Sequence, residues 1–301
     1  MKRLIRVVSA ILLAAAALGQ SDYAMQTEHF RVLYPEGRYD KAEVVAQAAE
    51  DALGPLSASL DVQLPGVITV RLFNTRTEMF ATIGSKPQPY VMGLALPETN
   101  RILLGIVGDE SLARTTAHEL AHIMLFAKFG SEMPADQPRW LHEGIAQFAA
   151  GKLTEDQQRV LGEVAVSGEL LSIAEMERAF SGDSQQVALA YAQALTLTQY
   201  LHQLRPQGGI AALVANLTTT GDLNRALIRT YGMTQAAIEA EWLTQTRARY
   251  LSAGIPLSSE LLVWAAMGLL FIVAIVVQTR RRAAIRRRLQ EEEALRQPLG
   301  R

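Results

Sequence analysis

Residues 115–126 read TTAHELAHIMLF, and residues 138–151 read PRWLHEGIAQFAAG. The first stretch holds an H-E-x-x-H pattern at His118-Glu119-Leu120-Ala121-His122. On a helix, side chains four apart share one face, a turn above each other. Two imidazoles placed this way can reach one cation at about 2.0–2.1 Å. Glu119 is turned by about 100° from His118, so it reaches a water beside the cation without becoming a ligand. That is the general-base position of a zinc hydrolase.

A catalytic zinc needs a third protein ligand and an open coordination position. Glu143 follows His122 by 21 residues, on the next predicted helix. The segment between contains Gly130, Pro134 and Asp136, which suits a helix–helix connection. Two antiparallel helices joined there bring Glu143 back to the histidine face. Gly144 allows close helix approach, while Trp140, Leu141 and Ile145 can pack. His142 is the alternative ligand, pointing about 100° away from Glu143, so both cannot serve. A three-histidine site of the metzincin type also needs a glycine where Leu125 stands. Glu143 is therefore the expected third ligand.

Working outward, helical spacing continues at 111–128, 139–152, 187–203, 210–217, 222–230 and 234–251. Upstream the pattern changes. Strands are expected at 29–34 and 66–73, with a helix at 40–60 between them and a short helix at 75–83. Segments 90–96 and Arg101–Gly105, joined by Pro97-Glu98-Thr99-Asn100, read as a hairpin. The layout is α+β: a mixed sheet first, then a helical half.

The two quoted stretches resemble the peptidase MA-like family of gluzincins, which pairs H-E-x-x-H with W-L-x-E-G-x-A. The resemblance runs over residues 29–250 and is strongest at 115–150. It implies a gluzincin-like fold, with the active-site helix between an N-terminal mixed sheet and a helical subdomain. It also implies Zn²⁺, a peptide or protein substrate, and a sheet edge beside the site that takes substrate as an added strand; Arg101–Gly105 is the expected edge. Four residues after the glutamate ligand, the thermolysin-like branch has an aspartate that orients the first histidine; Gln147 stands here. The glycine-x-methionine-glutamate-asparagine signature of the aminopeptidases is absent, which favours an endopeptidase. An oxyanion stabiliser is expected from the later helices. Tyr191, in Ala190-Tyr191-Ala192-Gln193-Ala194, is the first candidate, with Tyr200, His202 and Tyr231 behind it.

Apolar runs at the two ends set an expected topology. Residues 1–20 have a basic start (Lys2, Arg3, Arg6), a short apolar stretch and small residues, the layout of a secretory signal. Residues 261–278 read LLVWAAMGLLFIVAIVVQ, without a charge. Eighteen helical residues rise about 27 Å, close to the hydrocarbon thickness. Arginines 280–282 and 286–288 follow, which by the positive-inside rule places residues 279–301 in the cytoplasm. The expectation is an extracytoplasmic domain at 25–251, a linker at 252–260 and a single membrane span at 261–278.

Composition closes off several classes. Residues 20–278 hold 18 basic and 27 acidic side chains, a net −9, with no basic patch for nucleic acid. The absence of cysteine excludes thiolate metal sites, disulfides and a cysteine nucleophile. The rival to an enzyme is a non-catalytic module that binds zinc or a partner at the membrane surface.

Overall fold

The computed structural model describes residues 11–12, 23–64, 66–88, 91–129, 138–251, 264, 267–273 and 275–280. The chain divides into two units, Met1–Gly254 and Ile255–Arg301.

The first unit opens with a mixed sheet. Its strands are β1 (Ile11–Leu12), β2 (Tyr23–Gln26), β3 (Phe30–Tyr34), β4 (Ile68–Phe73), β5 (Gly93–Leu96) and β6 (Arg101–Gly105). Their spatial order is β1-β2-β3-β4-β6-β5. β3, β4 and β6 run parallel, while β2 and β5 pair antiparallel with β3 and β6. Central β4 reads ITVRLF, with Ile68, Val70 and Leu72 alternating into a buried face. β5 and β6 form the expected hairpin, with a short 3-10 turn at Pro97–Thr99 between them.

Helix α1 (Tyr39–Leu60) follows β3, and α2 (Arg76–Thr82) follows β4. The buried face of α1 is Ala42, Val45, Ala46, Ala49, Leu53, Leu56 and Leu60, at helical spacing. Its alanines let α3 (Asp109–Phe129) lie close, and α3 also packs on β5 and β6. After β6 every described element of this unit is helical: α4 (Arg139–Ala150), α5 (Glu155–Ser167), α6 (Ile173–Ala179), α7 (Ser184–Leu204), α8 (Gly209–Thr220), α9 (Leu223–Tyr231) and α10 (Gln235–Tyr250). Helix α3 is thus the layer between sheet and helical half.

The expected elements are present, with ends moved by a few residues. Four went unforeseen: β1, β2, α5 and α6. The last two start with capping boxes, Thr154 with Gln157 and Ser172 with Glu175, in which side chain and backbone satisfy each other's open groups.

A carboxylate fastens α1 to the turn before β3. The His29 backbone N–H donates to Glu50 Oε1 at 3.1 Å, and His29 Nδ1 lies 2.9 Å from Oε2. Burial raises the Glu50 carboxyl, but Thr27 and His29 outweigh it and hold it below its ordinary range. A depressed carboxyl stabilises the fold above its unfolded pKa, and the contribution is lost as pH falls through the folded value. Glu50→Gln is expected to cost about 1–2 kcal/mol at neutral pH. That is a fall of a few degrees in Tm. Melts across pH should also show a smaller acid loss in the variant; an unchanged acid limb would remove Glu50 from this role.

Apart from Ile11–Leu12, the leader expected at 1–20 lies outside the described residues, as does the linker at 252–260. Of the expected span at 261–278, the described residues are Trp264, 267–273 and 275–278, all helical; the others lie outside. Their apolar side chains are exposed, Leu270 at 67% and Phe271 at 68%. Among the described residues no helix is long and apolar enough to cross a membrane.

Candidate active site

His118 and His122 lie one turn apart on α3, and their Nε2 atoms are 3.2 Å apart. Helix α4 carries Glu143 to the same point. Its Oε2 is 3.4 Å from His118 Nε2 and 3.7 Å from His122 Nε2. Four-coordinate zinc with bonds of about 2.0–2.1 Å sets its ligand atoms about 3.3–3.4 Å apart. The three atoms therefore stand as corners of a tetrahedral site. Glu143 Oε2 is also buried without a hydrogen-bond partner, an expensive state for a carboxylate oxygen unless a cation meets it. Two imidazole nitrogens and one carboxylate at this spacing fit zinc. Among the described residues this is the one His/Cys/Asp/Glu group able to hold a metal, and His142 is not in it.

Gly144 makes the approach of α4 possible. A Cβ there would stand 2.7 Å from the Ala194 carbonyl and closer still to Thr198 Oγ1, both on α7. The carbonyl belongs to a helix backbone and cannot swing aside. Gly144→Ala is expected to push α4 from α7 and cost about 1–3 kcal/mol, read in a denaturant melt. Because Glu143 is the neighbouring residue, zinc affinity should fall with stability.

Arg139, one turn before Glu143, holds the other carboxylate oxygen, with Nε 3.6 Å from Oε1. Its guanidinium also lies over the Phe180 ring at 5.1 Å and donates to the Phe180 carbonyl. Sequence reasoning passed over Arg139, although the four-residue spacing to Glu143 was legible.

Charge is divided unevenly. Burial alone would raise Glu143, but both histidines and Arg139 outweigh it and hold the carboxyl at about 2. Burial, then His118, pushes His122 down to about 4, leaving it neutral as a ligand must be. Burial also lowers His118, but Glu143 and Glu119 more than restore it, and it ends raised. Glu119 is 7% exposed, and burial pushes its carboxyl up to about 7. A backbone hydrogen bond from Ala95 on β5 steadies it.

The site opens into a cleft of about 660 Å³. One wall is β5, the floor is α3, and Glu143 and Gln147 of α4 face Tyr191 of α7. Gln147 lines this cleft, with no hydrogen bond to either imidazole. The expected edge strand needs correcting. Arg101–Gly105 is β6, an interior strand paired on both sides by β4 and β5. The edge beside the site is β5, Gly93–Leu96. A Cβ on Gly93 would stand 2.8 Å from Glu119 Cγ and from Thr115 Cγ2, so only glycine lets this edge lie so close to α3.

Tyr191 stands edge-on to Phe180 at 5.3 Å, and its ring centre is 6.4 Å from that of His118. Burial, then Glu143, pushes its hydroxyl up to about 12, so it remains a proton-bearing donor. The other candidates lie elsewhere. Tyr200 donates to Glu241 at 2.8 Å, the His202 ring lies tilted against Phe148 at 5.1 Å, and the Tyr231 hydroxyl is buried without a partner.

A family model for the Peptidase MA superfamily matches residues 48–248, two thirds of the chain, and that stretch includes every residue of the site. The chain belongs to the peptidase MA superfamily. No curated protein matches this superfamily member. Among solved structures it is similar to an M1 zinc metallopeptidase from Deinococcus radiodurans, at 15% identity and a TM-score of 0.35, over 82% of this chain and 51% of that one. A point mutant of the same enzyme gives 14% and 0.37, over 79% and 51%. The mutant bound to a Tyr-Ser-Ala substrate gives 17% and 0.41, again over 79% and 51%. The chain spans about half the length of each.

Proposed function

We propose that this chain is a zinc-dependent endopeptidase whose catalytic domain stands outside the cytoplasm on one C-terminal membrane helix. The observation that carries the catalytic reading is the triangle of ligand atoms at 3.2, 3.4 and 3.7 Å, with its orphaned carboxylate oxygen, beside a buried Glu119.

Zinc held by His118, His122 and Glu143 would supply a Lewis acid that polarises a peptide carbonyl and makes water a better acid. Glu119 takes the proton from that water as it attacks the carbonyl carbon, then returns it to the leaving amine. A carboxyl lifted by burial towards neutrality suits both halves of that exchange. The Tyr191 hydroxyl donates to the carbonyl oxygen as negative charge gathers there. Arg139 keeps Glu143 turned so that Oε2 faces the histidines. Tyr191→Phe is expected to lower kcat by about 10²–10³-fold with zinc retained and KM little changed. A normal kcat in that variant would pass the oxyanion role to another group.

The endopeptidase reading rests on what lines the cleft. Glu119 and Glu143 are its only acidic side chains among the described residues, and both are committed. A substrate's N-terminal ammonium finds no spare carboxylate there. Among the described residues β5 pairs only with β6, and its other side offers main-chain groups to an extended substrate.

Support for tethering comes from the uncharged run at 261–278, the exposed apolar side chains of its described residues, and the arginines after it. The basic and apolar start at 1–20 supports export.

Metal content and turnover test the catalytic reading together. One zinc per chain is expected, with cleavage of mixed peptides that chelator abolishes and added zinc restores. Stoichiometric zinc without cleavage of any peptide would leave a binding module. Protease accessibility of the domain from the outer face of intact cells tests the topology.

A further inference from the structure

We infer that Arg114 is a specificity-determining residue, which takes an acidic side chain of the substrate one or two residues from the scissile bond. The inference rests on the peptidase reading above and names the substrate class. Arg114 lies on α3 one turn before His118 and lines the same cleft. One turn advances about 6 Å along the helix. An extended peptide covers that distance in about two residues.

The guanidinium is held ready. Its Nη1 donates to the Lys152 carbonyl at 2.7 Å, in the segment just after α4. A guanidinium has five N–H donors, so one backbone bond fixes the group and leaves most of it available. No carboxylate pairs with Arg114 among the described residues, and the hydrogen bond to Lys152 is its one direct partner. The other arginine in the cleft, Arg139, is committed to Glu143 and Phe180. Among the described residues the cleft therefore presents one cation without a counter-ion, and a substrate carboxylate supplies it bidentately. General attraction cannot do the same work, because residues 20–278 carry a net −9 that repels acidic peptides elsewhere on the surface.

The test uses the full chain loaded with zinc and a set of peptides with one scissile bond. Glu or Gln is placed in turn at each of the three positions on either side. At one position the Glu peptide should have about tenfold higher kcat/KM than its Gln twin, mostly through KM, the size of one charge-assisted contact at a half-exposed site. Arg114→Gln should bring that ratio towards one, and Arg114→Lys, which keeps the charge without the fork, should leave it in between. In parallel, fluorescence anisotropy reads binding of the same peptides to zinc-loaded Glu119→Gln chain. The Glu peptide should bind more tightly there, and Arg114→Gln in that background should remove the difference. Equal Glu and Gln values at every position, or a preference that survives Arg114→Gln, would overturn the inference. If no peptide is cleaved, the peptidase reading fails, and the anisotropy pair still decides: an Arg114-dependent preference supports the contact, and its absence overturns it.

Discussion

Glu119→Gln is expected to keep zinc at one per chain and to lose turnover by about 10²–10⁴-fold or more. The substitution is nearly isosteric, so the packing of the side chain against Gly93 and Thr115 survives. What disappears is the ability to take a proton. An amide cannot accept it from water or return it to the departing amine. Glu119 is not one of the three atoms that converge on the metal point, so metal content should be unaffected. The fold should become slightly more stable, because a carboxyl pushed up to about 7 by burial is replaced by a neutral group. Zinc analysis, a melt and a peptide assay on the same preparation read all three. Near-normal turnover would remove Glu119 from the reaction.

Glu143→Ala should do the opposite, taking away the metal and, with it, the activity. Losing a residue that only supports a ligand typically costs about 10–100-fold in metal affinity, and losing a ligand should cost more. Zinc at about a hundred times its dissociation constant stabilises a folded protein by about 2.7 kcal/mol. For a domain of this size that raises Tm by roughly 5–10 °C. The wild-type chain should show this shift on adding zinc, and Glu143→Ala should show none. The metal-free variant should be less stable than the metal-free wild type at neutral pH, since the deleted carboxylate is held at about 2 by both histidines and Arg139. A full zinc complement in Glu143→Ala would mean that another residue completes the site, and His142→Ala in the same background would test the neighbour.

The metal centre was legible because its information is local. His118, Glu119 and His122 sit within five consecutive positions, and helical periodicity alone puts the histidines on one face. Glu143 needed a second helix and a turn, both of which left marks in glycine, proline and apolar spacing. The order of the sheet left weaker marks. A hairpin pattern tells that β5 and β6 pair, but not which of them faces inward. The answer lay in composition: β6 carries Ile102, Leu103 and Leu104 in a row, the run of a strand covered on both faces, while β5 is interrupted by Gly93 and Ala95. Helices α5 and α6 were missed because both are polar on their outer sides and α6 is only seven residues long, although their capping residues announced them. Arg114 and Arg139 were hidden for another reason. A charged side chain on a helix reads as solvated until the neighbouring elements are in place, and these two matter through partners 38 and 41 residues away.

On the proposed peptidase reading, the four-residue length of β5 limits what can be cut. Its free margin can join only to a stretch of polypeptide whose amides and carbonyls are not already paired, and Gly93, pressed against the floor of the cleft, gives it no room to draw back. A helix or an internal sheet strand would have to unravel before it reached Glu119. Loops, frayed termini and chains that have lost their native shape need no such step. A well-folded neighbour would be spared until damage or heat loosened it, so susceptibility would follow how readily a target opens as much as which residues flank the bond.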